Sequence, residues 1–369
     1  MSGNTLHYFS GGNTARGFFS LYAPTIALLE KVIILRGDRG HVKSTLMNNV
    51  AKTIIKNGVD AELIHCSLSP DFIDGVIFPE LKVGIFNGSD PHFIEPQENC
   101  ITEVYVNIGD AWDSQLLSTK RDEIIHLMKA RKLAHEKAYQ AYAKALTIHG
   151  EWEFIFNGNT DTQKLNALAE NLITHFFNGL SLDKQSNVQH RFLGSATSKG
   201  AVDFVPNLTE NIQKRYFIKG RPGFGKLVLL KKLVQTAESN GFDVEIYHCG
   251  LDPNSLDMLI FRELSIAIFD SEAPHEYFPT RENDEIIDLY KETILPDTDV
   301  IFAEQIQHIA GRYLEKMVEG NNHLAAAKKA HDALEHIYYE TVDYTKIAET
   351  QKEIEDKILQ LIQVLDITE

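Results

Sequence analysis

Lys31-Val-Ile-Ile-Leu-Arg-Gly-Asp-Arg-Gly-His-Val-Lys-Ser-Thr45 passes from an apolar run through a glycine-rich turn into a helix-forming segment. Tyr216-Phe-Ile-Lys-Gly-Arg-Pro-Gly-Phe-Gly-Lys-Leu227 does the same. Each following segment closes at an Asn-Gly pair, Asn57-Gly58 and Asn240-Gly241, where glycine suits the left-handed residue that ends a helix. Strand, turn and helix in this order describe a P-loop. Main-chain N–H groups converge on phosphate oxygens at a helix start, glycines permit that path, and a lysine neutralises the β and γ phosphates. The stretch therefore predicts a phosphate cradle, twice.

The two stretches belong to a longer repeat. An offset of 183 lays His7 to Pro96 on His190 to Pro279 without a gap, matching Gly37, Gly40, Lys43 and His65 to Gly220, Gly223, Lys226 and His248. With an offset of 182, His149, Glu153, Ile155, Asp161 and Lys164 meet His331, Glu335, Ile337, Asp343 and Lys346. The chain reads as a tandem duplication of two domains, 1–187 and 188–369, each long enough for a core of its own. A period this long excludes a solenoid, whose units are roughly 20 to 50 residues.

Composition narrows the class. With 43% hydrophobic and 24% charged residues the chain reads as an ordinary globular protein, and no run reaches the roughly 18 apolar residues of a membrane helix. The start, MSGNTLHYFS, lacks the pattern of a secretory signal, so a cytoplasmic location is expected. Cys66 and Cys249 are one position seen twice and Cys100 is unpaired, which fits a reducing compartment. A net charge of −16 without a Lys/Arg stripe argues against nucleic acid as a partner, and nothing argues for a membrane.

Neither cradle is intact. The second keeps Gly220, Gly223, Gly225 and Lys226 but has Leu227 where a hydroxyl should hold Mg²⁺. The first keeps Gly37, Gly40, Lys43, Ser44 and Thr45, yet Val42 replaces the last glycine and would be strained if that position required a positive φ. The acid expected at the end of a neighbouring apolar strand is Asp270 after Ser265-Ile-Ala-Ile-Phe269. After Lys82-Val-Gly-Ile-Phe86 it is the amide Asn87, with Asp90 three residues on. Either both sites have decayed to binding or scaffold sites, or the halves face each other and share one.

Other shared positions are candidates with structural rivals. His65 and His248 end strands at the edge where open α/β sheets bind ligands, but each could equally be a hydrogen-bonded structural histidine. His92 and His275, in Asp90-Pro91-His92 and Ala273-Pro274-His275, follow the acidic strand and are candidate phosphate sensors or proton carriers. Cys66 and Cys249 read as packed residues, since free cysteine is mostly buried. Arg16 and Lys199, each set among glycines, could reach phosphate or sit in a solvated loop. Lys120 to Gly150, Ala303 to Tyr339, Thr162 to Leu180 and Lys346 to Leu365 read as long helices packed over the sheets, too irregular for a long coiled coil, with a lid or dimer arm as the sharper reading.

Tyr8-Phe-Ser-Gly-Gly-Asn-Thr-Ala-Arg-Gly17, the P-loop, His65-Cys66-Ser67, Asp74-Gly-Val-Ile-Phe-Pro-Glu-Leu81, Pro91-His92 and Asn107-Ile-Gly-Asp-Ala-Trp-Asp113 together resemble a family of bacterial, mainly Bacillus-type and clostridial, tandem P-loop ATPase-like proteins. The resemblance covers nearly the whole chain. It implies an unbroken Gly-x-Gly-Lys-Ser-Thr and an aspartate-ended strand, from which Val42, Asn87 and Leu227 depart, and it implies no substrate.

The expectation is therefore two α/β P-loop NTPase domains, each a mostly parallel, doubly wound sheet with a helical appendage, binding ATP or a related nucleotide with Mg²⁺. Lys43 and Lys226 would bind phosphate, Ser44 and Asp270 would serve the metal, and Asp270, His92 and His275 would serve catalysis. A weak or regulated NTPase, a non-catalytic scaffold and a small-molecule phosphotransferase all remain open, as do a homodimer and a partner protein.

Overall fold

The computed structural model describes residues 2–37, 40–89, 102–223 and 225–366. The His92, Asp90 and Cys100 expectations lie outside the described residues. The first half runs β1 (Thr5–Tyr8), β2 (Gly11–Thr14), β3 (Gly17–Ser20), α1 (Tyr22–Ile26), β4 (Lys31–Arg36), α2 (Gly40–Lys56), β5 (Ala61–His65), β6 (Ile73–Phe78), β7 (Val83–Asn87) and β8 (Thr102–Asn107). It then turns helical with α3 (Ser114–Thr119), α4 (Arg121–Gly158) and α5 (Thr162–Phe177). The second half repeats the order: β9 (Val188–Phe192), β10 (Gly194–Thr197), β11 (Gly200–Asp203), α6 (Val205–Leu208), β12 (Lys214–Lys219), α7 (Gly225–Ser239), β13 (Val244–His248), β14 (Leu256–Phe261), β15 (Ile266–Asp270) and β16 (Glu285–Asp288). Its helical part is α8 (Leu289–Thr293), α9 (Thr298–Ile301), α10 (Ala303–Tyr339) and α11 (Tyr344–Asp366).

Each half forms a six-stranded mixed sheet, in the orders β1-β5-β6-β7-β4-β8 and β9-β13-β14-β15-β12-β16. Three of the five pairings in each sheet are parallel, and β6 and β14 are the antiparallel strands. Gly58 and Gly241 close α2 and α7 at φ of 91° and 76°, as the Asn-Gly pairs predict.

The two faces of each sheet are covered differently. Alternate residues of β4 go to opposite faces: Ile33 and Leu35 join the cluster under α2 and α11, whereas Val32 and Ile34 join a cluster shared with the second half. Phe217 and Phe269 enter that shared cluster from the other sheet. Tyr22 and Ile26 of α1 and Val205 and Leu208 of α6 join the same cluster, so the halves hold a common core to which both sheets and both short helices contribute.

The helical parts are exchanged. Leu165, Leu172, Phe176 and Phe177 of α5 pack with Leu229 and Leu233 of α7, in the second half. Ile347, Ile354 and Ile358 of α11 pack with α2 of the first half. Each such buried side chain stabilises the join by roughly 1.5–3 kcal/mol. The boundary along the chain near Ser186 to Gln189 therefore differs from the boundary in space.

The long helices α4 and α10 pack mainly on each other, antiparallel: Ile124 meets Leu334, Tyr142 meets Gly320 and Leu324, and Ile155 meets Ile309. Ala134, Ala138, Ala141, Ala145 and Ile148 recur at the four-three spacing of a coiled-coil seam. Alanines weaken that signal in the sequence, yet they let the helices approach closely. A Cβ on Gly320 would lie 2.3 Å from the Tyr142 ring.

An approximate two-fold axis relates the halves. Phe192 N–H donates to the carbonyl of its counterpart Phe9 at 2.9 Å, and Ala15 to Leu251 is mirrored by Ser198 to Leu68. On this axis Arg191, 3% exposed, pairs with both equivalent glutamates, Glu62 at 2.8 Å and Glu245 at 3.3 Å, and lies over the Tyr8 ring. Among the described residues no helix is long and apolar enough to cross a membrane.

Candidate functional site

In the second half, β12 lies between β15 and β16 and runs parallel to both, with Ile218 opposite Asp270. The carboxyl ends of β12 and β15 therefore reach the same edge at which α7 begins. There the Lys226 ammonium donates to the Asp270 carboxylate. The antiparallel pairing of Met258 with Phe269 brings Asp257 to the same place. Burial, and then the charge of Asp270, push the Asp257 carboxyl above the usual carboxylate range. Burial pulls the Lys226 ammonium down, but Asp270 and Asp257 outweigh it and hold its pKa above the ordinary value.

His275 completes the cluster. Its Nδ1 lies 2.7 Å from Asp203 Oδ2, and the Tyr277 hydroxyl donates to the other oxygen of the same carboxylate at 2.5 Å. Burial would lower the His275 pKa, yet the Asp203 hydrogen bond and charge, helped by Asp257 and Asp270, raise it. Asp203 is in turn held below its usual value, the His275 bond outweighing its own burial. The raised imidazole suits donation to an anion better than proton abstraction near neutral pH. Gly194 makes room for this ring, because a Cβ there would lie 2.5 Å from His275 Cε1.

The glycines of the second turn sit against other elements. The Gly220 N–H donates to Glu272 Oε1 at 3.0 Å, and a Cβ on Gly223 would lie 3.0 Å from Asn157 Oδ1 of α4. Gly225 opens α7 beside Leu165 of the exchanged α5.

The first half is built alike but wired differently. Gly37 has φ 124° and lies so close to Ile108 and Gly109 that a Cβ would meet them at 3.0–3.1 Å, a position only glycine fills. Lys43 is fully buried, and its ammonium donates to the Gly37 carbonyl at 2.7 Å and to Ser89 Oγ. Asn87, at the place of Asp270, donates to Asp74 Oδ1 at 2.9 Å. Val42 is not strained: it lies within α2, outside the positive-φ set, with its side chain packed into the core under that helix. The glycine that the motif requires there is dispensable because the backbone is already helical.

Ser44 Oγ accepts from the Ile73 N–H at 2.9 Å and from Asn48 Nδ2 at 3.4 Å, so its lone pairs are directed at protein donors rather than outward. Thr45 is exposed on α2. Gly40 opens α2, and its N–H, with that of His41, donates to the Glu335 carboxylate of α10 at 3.2 and 3.4 Å.

The remaining shared positions each have partners within the protein. His65 and His248 place Nδ1 2.7 and 2.6 Å from the carbonyls of Pro70 and Pro253, and Nε2 2.8 and 2.9 Å from Nδ1 of His7 and His190. Burial and Asp74 push the Cys66 thiol well up, and burial and Asp257 do the same to Cys249, so neither is a ready thiolate. Arg16 and Lys199 each pair with an aspartate of the opposite half, Asp252 and Asp71, and so join the halves. The two cradles are not brought into one: each lysine reaches groups of its own half.

Sequence reasoning missed Asp203, Asp257 and Glu335 as site residues. Asp257 was visible as a shared Asp74/Asp257 position without a role. Asp203 has only Ser20 as its counterpart, so the repeat carries no signal for it. Among the described residues no group of three or more His, Cys, Asp or Glu side chains is arranged to hold a metal ion. No protein family, curated protein or solved structure matches the chain.

Proposed function

We propose that the chain binds a nucleoside triphosphate such as ATP with Mg²⁺, chiefly through the turn and helix start at residues 220–227. The Lys226–Asp270 pair carries this reading: a half-buried ammonium and a carboxylate meet where two parallel strand ends adjoin a helix amino terminus. A bound triphosphate would draw the Lys226 ammonium from Asp270, and that carboxylate would then be the group to orient the water shell of an accompanying Mg²⁺. His275, held by Asp203, donates to a phosphate oxygen as charge develops. Hydrolysis in this arrangement is weak, because Leu227 supplies no hydroxyl to the metal and Ser44 is turned to Ile73.

That same pair of departures favours a second reading, in which nucleotide binds without turnover and sets the packing of the two halves. Calorimetric titration of ATP and GTP, with and without Mg²⁺, together with phosphate release, separates the two. Binding that is lost in Lys226→Ala supports the site, and phosphate release that vanishes in the same variant supports hydrolysis. Binding equal in wild type and Lys226→Ala would overturn the proposal.

A further inference from the structure

The antiparallel pair of α4 and α10 keeps an apolar outer face in solvent. Ala134, Ala138, Ala141 and Ala145 form the buried seam of α4. At about 100° per residue, Ile125, Lys129, Lys132, Gly150 and Phe154 fall on the opposite side of that helix. Ile125, Met128, Leu133 and Phe154 are exposed, Phe154 by 80%. On α10 the same geometry sets Glu304, Gly311, Leu314, Glu315 and Val318 away from the buried Ile309, Gly320 and Leu324, and all five are exposed. A groove of about 630 Å³ opens between the helices beside Phe154, walled by Thr147 and Gly150 on one side and Gln305 and His308 on the other.

Two observations say what covers this face. The first is the pair of glycines. In an exposed helix interior glycine costs about 1 kcal/mol relative to alanine, yet a Cβ on Gly150 or Gly311 would meet nothing of this chain within 4 Å. The room they leave is used by nothing in the protein itself, and it suits the close approach of another helix. The second is charge. At one end of the face the exposed cations Arg121, Lys129, Lys132 and Lys329 outnumber the acids Asp122 and Glu136. At the other end Glu304 and Glu315 leave it acidic, since Glu151 pairs with Arg312 and Glu319 with Lys316. The ends are far apart, because Ile124 packs with Leu334 at one and Ile155 with Ile309 at the other.

We propose that the outer face of α4 and α10 packs on the same face of a second copy of this chain, antiparallel about a two-fold near Tyr142 and Gly320, to form a four-helix bundle. This arrangement lays Ile125 and Met128 of each copy against the groove beside Phe154 of the other and fills the room at Gly150 and Gly311. It also sets the basic end of each face on the acidic end of its mate. A two-fold running along the helices would bring like ends together, so charge selects the antiparallel register. The surface is separate from the Lys226 cluster and does not depend on the nucleotide reading.

Sedimentation of the full chain across a range of concentrations, at low and high salt, tests the proposal. Wild type is expected to be a dimer that dissociates more readily as salt rises. Gly150→Gln/Gly311→Gln introduces good helix formers into the vacant room. Its dimer dissociation constant should rise at least about tenfold while its Tm holds or increases, which separates a lost interface from a damaged fold. Reversing the basic end alone (Arg121→Glu/Lys132→Glu) or the acidic end alone (Glu304→Lys/Glu315→Lys) should weaken association about tenfold, and reversing both should restore it. A chain that stays monomeric at every concentration, leaving the groove to a different protein or a small apolar ligand, overturns the proposal. So does a dimer indifferent to the glycine variant or to the single reversals, or one that the joint reversal fails to restore.

Discussion

Acid should weaken this protein through two histidine pairs, one per half. A carbonyl oxygen can only accept, so the contact of His65 Nδ1 with the Pro70 oxygen puts the proton on Nδ1 and leaves Nε2 to accept from His7. A second proton on His65 would turn Nε2 into a donor and force the His7 proton from Nδ1 to Nε2. His248, His190 and Pro253 repeat the arrangement. Burial, opposed in part by the proline carbonyl bond, pushes the pKa of His65 and of His248 from 6.5 to about 4. The unfolded chain takes these protons near 6.5 and the folded chain only near 4. Stability is then complete above pH 6.5, falls as pH drops from 6.5 to 4, and changes no further from these groups below that. The shift corresponds to roughly 3 kcal/mol per histidine, reduced by solvent reaching the half-buried rings. Urea unfolding between pH 7.5 and 4 should show a slope in that window that is lost in His65→Asn/His248→Asn, and the Cε1 resonances of both histidines should titrate near 4. Titration near 6.5, or an equal slope in the double variant, would refute the tautomer assignment.

Gly320→Ala should cost about 1–3 kcal/mol, since its Cβ would overlap the Tyr142 ring, and thermal unfolding will register it; an unchanged Tm would mean that α4 and α10 do not approach as closely as described. Arg191→Met takes the guanidinium from Glu62, while Glu245 keeps its pair with Arg262, and should cost about 3–5 kcal/mol, much of it recovered in the double variant with Glu62→Gln, measured by urea unfolding. Asp203→Asn removes the charge that raises His275. Its Cε1 titration should move to lower pH, and the stability that wild type has below pH 6.5 and loses as pH climbs through the raised His275 pKa should disappear.

The strand, turn and helix around Lys43 and Lys226 were legible because the pattern is local and occurs twice. The second-face partner of each sheet was not, since Val32 and Ile34 are equally apolar whether a helix or another sheet covers them. Nothing in α5 states which sheet it meets: amphipathic periodicity specifies a buried face, not its partner. The α4–α10 pair escaped notice because small alanines, which permit close packing, carry little hydrophobic signal. Val42 was judged against a motif whose glycine matters only where φ is positive, and here the backbone is helical. Glu335 stood out as a repeat marker, but its role depends on a contact made 295 residues away from Gly40.

The central claim is that main-chain amides and Lys226 at residues 220–227 cradle phosphate. A crystal structure with a non-hydrolysable ATP analogue and Mg²⁺ tests it most directly. The account predicts β and γ phosphate oxygens on the amides at the start of α7, with the Lys226 ammonium moved from Asp270 onto them. An analogue bound elsewhere while Lys226 stays on Asp270 would contradict it.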